Sequence, residues 1–401
     1  MPLSLHERRS VIRELAPKYK AANKGTRSEL ITQLQELTGY SRAHAARVLH
    51  SGAYARRAGG RRPGSGRKPV YGKDVKAALK RIWAILDAPA GKRLAPFLPD
   101  IVTRLERCGE IHLTPETRAK LLSISAATVD RILKPERRQL NSLLKGRSHT
   151  KPGTLLKGAI PVKTFAEWDD AKPGFLQLDL VAHDGGNSYG EFAQTLDMVD
   201  VATGWTVTAA VKNKAERWVF EALQACLPLF PFRVQGIDSD NGGEFINHPL
   251  KRYCEAHGIT FTRSRPYHKN DNCHVEQKNW SVVRKAAGYA RYTEGQLAAL
   301  NRMYAVLRLY TNFFQPMLKL RTKERRGAKV TKTYDTAQTP YQRVLASPEI
   351  DSATKDSLTR VYETLNPAKL HQDLLDLQEE LLAMVAKVSP HLTASLKEVL
   401  S

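Results

Sequence analysis

The chain has 401 residues, enough for several domains, and a formal net charge of +23. Its basic residues are unevenly placed. Residues 1–150 carry 31 Lys and Arg against 12 Asp and Glu, whereas residues 151–401 carry 32 against 28. The first part therefore suits a polyanionic partner, and the second suits a near-neutral globular body. Because no apolar run reaches about 18 residues and charges interrupt the N-terminus, we expect a cytoplasmic protein without a membrane span or signal peptide.

Residues 1–55 carry a helix-turn-helix pattern. A capping box at 26–29 predicts the start of a helix over 30–37, and a turn at 38–40 leads to Ser41, which predicts the cap of a second helix over 42–50. A second helix of this kind lies in the major groove of DNA, where it would present Arg42, His44 and Arg47. An ordinary helical hairpin is the alternative interpretation.

Residues 56–72 form a basic segment rich in Gly and Pro that cannot bury apolar surface, so we expect an extended linker. Two interpretations of its charges stay open. The segment enters an A·T-rich minor groove as an arm, or it is a solvated linker that adds salt-sensitive affinity for phosphate. In either case the candidate DNA contacts are Arg61, Arg62, Arg67 and Lys68.

Residues 73–145 carry a second helix-turn-helix pattern. Thr114 precedes Pro115, which is favoured at the first position of a helix. A turn at 123–125 then leads to a second helix over 126–134, which we expect Pro135 to stop. This helix would offer Thr128, Arg131 and Lys134 to DNA. An ordinary helical hairpin is again the alternative.

A linker over 146–169 precedes an α/β core over 170–290. Apolar runs and turns predict three strands, a helix, a strand, a helix, a strand and a helix, in that order. The predicted strands are 175–181, 191–199, 205–211, 232–237 and 259–261. The predicted helices are 215–227, 249–257 and one that follows residue 272.

Three acidic residues in this core stand out. Asp179 interrupts an apolar strand, Asp240 follows another and opens an Asp-Asn-Gly-Gly turn, and Glu276 falls on the last helix. An unpaired charge inside an apolar strand is expensive, so Asp179 indicates a function. Carboxylates that converge from distant positions supply the hard oxygen ligands that Mg²⁺ and Mn²⁺ prefer. The spacing therefore predicts a two-metal site for phosphoryl transfer.

Other acids compete with these three. Asp238 lies two residues before Asp240, and Glu244 more plausibly supports the loop than binds metal. Acids near a turn are usually solvated turn formers or caps. We extend that interpretation to a group of acids around the first hairpin: Asp184, Glu191, Asp197 and Asp200.

Residues 291–401 predict a mostly helical C-terminal region. The basic stretch 321–329 is interpreted as a loop or linker that touches phosphates. Near the end, apolar residues recur at heptad spacing: Leu370, Leu374, Leu377, Leu381, Met384 and Val388. This pattern fits either a coiled-coil oligomerisation helix or an amphipathic helix that packs on its own domain.

Residues 170–290 resemble the catalytic core of the retroviral-integrase superfamily, specifically the DDE transposases of bacterial insertion sequences. The resemblance rests on Leu176-Gln177-Leu178-Asp179, on the segment 238–245, and on the segment 263–268 that runs on to Val275-Glu276-Gln277-Lys278-Asn279. It implies an RNase H-like fold with a five-stranded mixed sheet, so the whole chain is expected to be multidomain, with all-α helix-turn-helix domains before the core. It also implies that Asp179, Asp240 and Glu276 are the catalytic and metal-binding residues.

The resemblance further implies a substrate and partners. The reaction would cleave double-stranded DNA at terminal inverted repeats and join the freed 3′-OH to target DNA, with two Mg²⁺ (or Mn²⁺) ions as cofactors, a homo-oligomer on the nucleoid, and no specific sign of an accessory ATPase. Lys278, Arg284 and Lys285 would follow the DNA strand, or form a solvated helix face. A non-catalytic DNA-binding regulator and a nuclease without strand transfer are the alternatives.

The chain departs from retroviral integrases in one respect, because it lacks the zinc-binding His/Cys pattern that precedes their core. Its four cysteines are scattered without a Cys-x-x-Cys pair: Cys108, Cys226, Cys254 and Cys273. We therefore expect no structural zinc, and reduced thiols instead.

Overall fold

The computed structural model describes residues 3–52, 70–143, 172–239, 242, 244–245, 247–264 and 273–388. The chain divides into two compact units, Met1–Val70 and Tyr71–Ser401. The domain bounds given above stay predictions. In the described part of the chain, no helix is long and apolar enough to span a bilayer.

The first unit contains three helices around a small core. They are α1 (Leu5–Ala21), α2 (Lys24–Thr38) and α3 (Arg42–Ser51). Ile12, Leu34 and Leu49, one from each helix, are fully buried against one another. The predicted turn between α2 and α3 is present, with Gly39 in the left-handed region at φ 72°.

The caps in this unit agree only in part with the predictions. Ser41 caps α3 as predicted, because its Oγ accepts a hydrogen bond from the N–H of His44 at 3.3 Å. The predicted capping box at 26–29 is wrong. Helix α2 begins earlier, at Lys24, because Asn23 Oδ1 accepts from the N–H of Thr26 at 3.0 Å.

The second unit begins with five helices. They are α4 (Lys73–Ile85), α5 (Gly91–Arg107), α6 (Pro115–Leu122), α7 (Ala126–Ile132) and α8 (Lys134–Leu143). The predicted helix pair is α6 and α7, capped by Thr114 and Ser125. Pro135 does not stop a helix over 126–134 as predicted. Helix α7 ends at Ile132, and Pro135 lies in the first turn of α8, where its missing N–H costs no hydrogen bond.

A five-stranded mixed sheet follows, with helices between its later strands. The strands are β1 (Phe175–Ala182), β2 (Gln194–Asp200), β3 (Thr206–Val211), β4 (Gly236–Ser239) and β5 (Thr260–Arg263). Helix α9 (Glu216–Cys226) lies between β3 and β4, and α10 (His248–His257) lies between β4 and β5. The strand order is β3-β2-β1-β4-β5. Strands β1, β2 and β3 pair antiparallel, and β4 and β5 run parallel to β1, which confirms the predicted RNase H-like fold.

The helix after the sheet changes its pitch. It consists of α11 (Cys273–Lys278), a π-helical turn (Asn279–Arg284) and α12 (Lys285–Ala287). Val282 and Val283 are buried, so this helix packs against its neighbours. Helix α11 contacts β1 and β2, so it lies over the middle of the sheet. π-Helical turns are rare and are frequent at functional sites.

The C-terminal region contains four helices and a hairpin. The elements are α13 (Leu297–Phe314), β6 (Leu320–Arg326), β7 (Lys329–Tyr334), α14 (Pro340–Ala346), α15 (Ser352–Thr364) and α16 (Pro367–Val388). The predicted loop over 321–329 is therefore wrong, because β6 and β7 pair antiparallel there. The β-branched residues of the two strands favour strand over loop: Thr322, Val330, Thr331 and Thr333.

Helix α13 covers the outer edge of β3. Asn312 Oδ1 accepts from the N–H of Thr206 at 2.9 Å, and Asn301 Oδ1 accepts from the N–H of Ala210 at 2.8 Å. These side chains satisfy backbone groups that an edge strand would otherwise expose.

The heptad seam of α16 packs on its own unit. Leu370, Leu374 and Leu381 are buried, and α16 contacts α13, α12 and α4. Of the two interpretations of this pattern, the amphipathic helix that docks on its own domain is confirmed.

Helices α4 to α7 share one apolar core with the sheet and the C-terminal helices. Three polar contacts reinforce this packing. Tyr310 Oη donates to the carbonyl of Ile85 at 2.6 Å, and Arg104 Nε donates to the carbonyl of Leu365 at 2.8 Å. Lys285 forms an ion pair with Asp87.

Candidate active site

Asp179 lies in the middle of β1, on the face of the sheet that α11 covers. Leu176 and Leu178 face the other side of the sheet and are fully buried. Its carboxylate is half-buried and fixed by two hydrogen bonds. Oδ1 accepts from the N–H of Leu180 at 2.8 Å, and Oδ2 accepts from Asn279 Nδ2 at 2.5 Å. A carboxylate held in this way keeps lone pairs for a further ligand.

Glu276 lies in the first turn of α11, and its side chain is exposed. Two contacts on either side of Glu276 tie this helix to β1. Gln177 Oε1 accepts from the N–H groups of His274 and Val275, at 3.1 and 3.3 Å. One turn after Glu276, Asn279 donates to Asp179. Because residues three apart on a helix are neighbours, Glu276 lies on the part of α11 that meets the face of β1 carrying Asp179.

The third predicted acid, Asp240, lies outside the described residues. Strand β4 ends at Ser239, the residue before it. The competing acid Asp238 is buried, and its Oδ1 accepts from Thr262 Oγ1 of the neighbouring strand at 2.7 Å. Asp238 therefore helps to join β4 to β5.

Asp197 was interpreted as a solvated turn acid, and this interpretation is wrong. It lies in β2 directly opposite Asp179 and is 0% exposed. In the described part of the chain, neither carboxylate oxygen of Asp197 has a hydrogen-bond partner. The argument that singled out Asp179, an acid inside an apolar strand, applies equally to Asp197 and would have found it.

Lys278 provides the charge that faces Asp197. Burial raises the pKa of Asp197 well above its usual value, the charge of Lys278 opposes this shift, and the charge of Asp179 adds to it. Burial also lowers the pKa of Lys278 to about 8, against the effect of Asp197. Lys278 is only 9% exposed, which argues against the predicted DNA contact at this residue.

Asp200 was also interpreted as a solvated turn former. It does stabilise a turn, but its side chain is buried. Its Oδ1 accepts from the N–H of Gly174, and its Oδ2 accepts from both the N–H and Oγ1 of Thr203. Burial raises the pKa of Asp200 to about 6, although the hydrogen bonds from Thr203 and Gly174 lower it.

The remaining basic residues predicted on the site helix are engaged by the protein. Arg284 Nη2 donates to the carbonyl of Ala182 at 2.7 Å, and its guanidinium lies 5.0 Å from the ring centroid of Tyr289. Lys285 pairs with Asp87 as described above. Both therefore join the site helix to neighbouring elements, and their contact with DNA stays a prediction.

The predicted DNA-contact residues of the two helix pairs lie on their second helices. Arg42 and Arg47 are exposed on α3, while His44 packs edge-on against Tyr40. On α7 and just after it, Arg131 and Lys134 are exposed, and Thr128 is partly exposed beside the cap. The linker residues lie outside the described residues: Arg61, Arg62, Arg67 and Lys68.

A buried histidine supports the end of β1 next to the site. His183 Nε2 lies 2.7 Å from Thr195 Oγ1, which lies 2.6 Å from Tyr304 Oη. Burial lowers the pKa of His183 to about 3, and the charge of Arg284 contributes. The imidazole is therefore neutral in the folded protein over the physiological range.

We expect this histidine to make the protein acid-sensitive. The imidazole in the unfolded chain has a pKa of about 6.5, so as pH falls the unfolded state gains a proton before the folded state does. Each pH unit below 6.5 therefore lowers the free energy of unfolding by about 1.4 kcal/mol. The stabilisation is complete above pH 6.5 and is lost as pH falls towards 3. Replacing His183 by Gln should reduce the difference in unfolding free energy between about pH 7.5 and 5 by roughly 2 kcal/mol. Urea unfolding at both pH values checks this, and an equal difference in both proteins would contradict it.

Comparison with known proteins identifies the family of the chain and the domain that contains this site. A model of the integrase core domain matches residues 169–269. The uncharacterized protein y4rM of Sinorhizobium fredii is 38% identical over 351 residues, which is 85% of this chain and 96% of y4rM.

Solved structures of integrase cores are also similar. The catalytic core domain of BIV integrase is 19% identical, with a TM-score of 0.30, and the match covers 43% of this chain and 94% of that one. The catalytic core domain of HTLV-2 integrase, solved with magnesium in a dimeric form, is 16% identical, with a TM-score of 0.28, and the match covers 36% and 90%. This chain belongs to the same family as y4rM, and its residues 169–269 match the integrase core domain.

Proposed function

We propose that the protein is a DDE transposase that cleaves DNA at the ends of an insertion sequence and joins those ends to target DNA. One observation carries the proposal: Gln177 and Asn279 fix α11, which carries Glu276, over the face of β1 that carries Asp179. This arrangement lies in an integrase core domain, whose superfamily comprises polynucleotidyl transferases.

The residues around Asp179 fit a divalent cation. Asp179 and Glu276 offer hard carboxylate oxygens, which suit Mg²⁺ or Mn²⁺. Asn279 Oδ1 is buried next to Asp179 and has no hydrogen-bond partner in the described part of the chain, so it is a further oxygen for a cation or its water. Asp240 completes the proposed set. Bound metal ions would activate the attacking oxygen and stabilise the leaving oxygen.

The chain's own residues contribute position and charge. Asn279 and the N–H of Leu180 hold the Asp179 carboxylate in one orientation, and Gln177 fixes the start of α11 and so the place of Glu276. In the first step, the oxygen of water attacks a phosphorus atom at the element end, the bond from phosphorus to the 3′ oxygen breaks, and that oxygen leaves as a 3′-OH. In the second step, this 3′-OH attacks a target phosphodiester and releases a target 3′-OH.

Duplex DNA is the proposed partner. The basic excess lies in residues 1–150, and the exposed Arg42, Arg47 and Arg131 lie on the second helices of the two helix pairs. Pairing two element ends calls for a homo-oligomer in the DNA complex. Because α16 packs on its own unit, the oligomer would use another surface. The protein would act on the nucleoid in the cytoplasm.

The test is metal-dependent cleavage of the DNA that flanks the gene. The wild type should cleave at a defined end in Mg²⁺, and Glu276→Gln should cut at a rate lower by a factor on the order of 10³ or more. Glu379→Gln, at an exposed position on α16, is the matched control and should keep full activity. Binding without cleavage by the wild type would contradict the proposal and indicate a DNA-binding regulator. Cleavage without joining would indicate a nuclease.

A further inference from the structure

The β6–β7 hairpin is the most basic ordered element outside the proposed site. Its two strands contain six Lys and Arg and one Glu. Every side chain from Leu320 to Tyr334 whose burial is described is exposed. Even the apolar ones are: Leu320 by 49%, Val330 by 42% and Tyr334 by 48%. An isolated two-stranded hairpin is marginally stable in water, so such a surface calls for a partner.

The base of the hairpin is fixed to the catalytic body. Lys319 and Asp335 flank it, with the N–H of Lys319 donating to Asp335 Oδ1 at 2.7 Å. Asp335 also forms an ion pair with Arg343 at 2.8 Å, and both side chains are nearly buried, at 15% and 10% exposure. Lys319 Nζ donates to the carbonyl of Ala202, just after β2. The hairpin is therefore an anchored arm rather than a linker.

The strand register places basic positions opposite each other. Lys323 pairs with Lys332, and Arg326 pairs with Lys329. Like charges at directly opposed positions destabilise a sheet, and the ion pair between Arg326 and Glu324 within β6 is solvent-exposed, so it offsets little of that repulsion. A polyanion that lies along the strands would turn this repulsion into attraction.

We propose that the β6–β7 hairpin is a two-stranded ribbon that lies in the major groove of duplex DNA. Strands of six and seven residues extend roughly 20 Å, and the major groove is about 12 Å wide, which admits a two-stranded ribbon. Side chains from both strands would then reach phosphates and base edges. This inference rests on the proposed function only for the nature of the ligand, duplex DNA.

A charge-matched pair of variants tests the arm. The arm variant replaces Arg321, Arg325, Arg326 and Lys332 by Gln. The control variant replaces four basic residues of the C-terminal helices by Gln: Arg302, Lys355, Arg360 and Lys369. Both variants lose the same net charge. Because the arm residues are exposed, the melting temperature should stay close to that of the wild type in both.

The first readout is the salt dependence of binding to a mixed-sequence DNA duplex in EDTA, where cleavage plays no part. The slope of log Kobs against log[NaCl] should become less steep by up to about 3.6 in the arm variant, since each of the four lost phosphate contacts would remove about 0.9. It should change by less than about 1 in the control. Equal slopes in the wild type and the arm variant would overturn the proposal, even if the protein cleaves DNA as proposed.

The second readout separates groove insertion from contact with phosphates alone. Dimethyl sulfate methylates guanine N7, which faces the major groove. The wild type and the control should protect a set of guanines that the arm variant leaves reactive. Unchanged protection together with a reduced slope would show that the arm contacts only the backbone, and would overturn insertion into the groove.

Discussion

Asp179→Asn is expected to lower the rate of metal-dependent strand cleavage by a factor on the order of 10³ or more, while the affinity for DNA changes little. The amide keeps the size of the side chain and can still accept from Asn279, but it lacks the negative charge that a divalent cation requires. Because β1 keeps its pairing on both sides, the fold should be retained. Single-turnover cleavage and equilibrium DNA binding, measured on the same preparation, check the two halves of this expectation.

The matched control is Asp356→Asn, which removes an exposed carboxylate from α15. It should cleave at the wild-type rate. If Asp179→Asn retained cleavage within about tenfold, or if it lost DNA binding together with cleavage, Asp179 would not be a metal ligand.

Lys278→Met is expected to lower the free energy of unfolding at neutral pH by about 3 kcal/mol. Asp197 is fully buried, and its oxygens have no hydrogen-bond partner in the described part of the chain, so the charge of Lys278 is the interaction that compensates it. Removing that charge leaves a buried acid without compensation. Urea unfolding of the wild type and the variant measures the loss.

A double variant shows whether the loss comes from this pair. Asp197→Val with Lys278→Met replaces both charges by apolar groups, and such replacements are often neutral or stabilising, so most of the lost stability should return. Lys369→Met, at an exposed position, should stay within about 0.5 kcal/mol of the wild type. A single Lys278→Met variant as stable as the wild type would show that Asp197 does not depend on Lys278.

The order of the core elements could be predicted because strong local signals bound each of them. Apolar runs, Gly-rich turns and caps locate three strands, a helix, a strand, a helix, a strand and a helix, and the structure has this order. The bounds differ by a few residues where pairing decides them. For example, β4 was predicted to start at 232, but it begins at Gly236, where it first pairs with β1.

The buried position of Lys278 could not be predicted from its own sequence neighbours. Lys278 follows Glu276 by two positions and was expected to face DNA, but α11 turns it towards Asp197. Which face of a helix meets the sheet depends on contacts from distant sequence, here those of Gln177 and Asn279. Asp197 was missed because its nearness to a turn was given more weight than its apolar neighbours.

The C-terminal region shows a different limit. The heptad pattern of α16 is the same for a helix that pairs with a second copy and for one that packs on α13, and only the folded chain distinguishes them. The hairpin over 320–334 has no apolar face, so its sequence lacks the alternation that marks a half-buried strand.

The shared core of helices α4 to α7 and the proposed catalytic sheet has a consequence for the position of the cut. In the proposed reaction, α7 contacts bases while Asp179 and Glu276 act on a phosphodiester, and both lie in one compact unit. The protein would therefore act as a molecular ruler that sets the number of base pairs between the two points. Inserting one base pair between them should shift the cleaved bond by one nucleotide, about 3.4 Å along the strand, so that its distance from the α7 site stays constant. The distance from the sequence bound by α7, and not the bases at the cleaved bond, would then determine where the strand is cut.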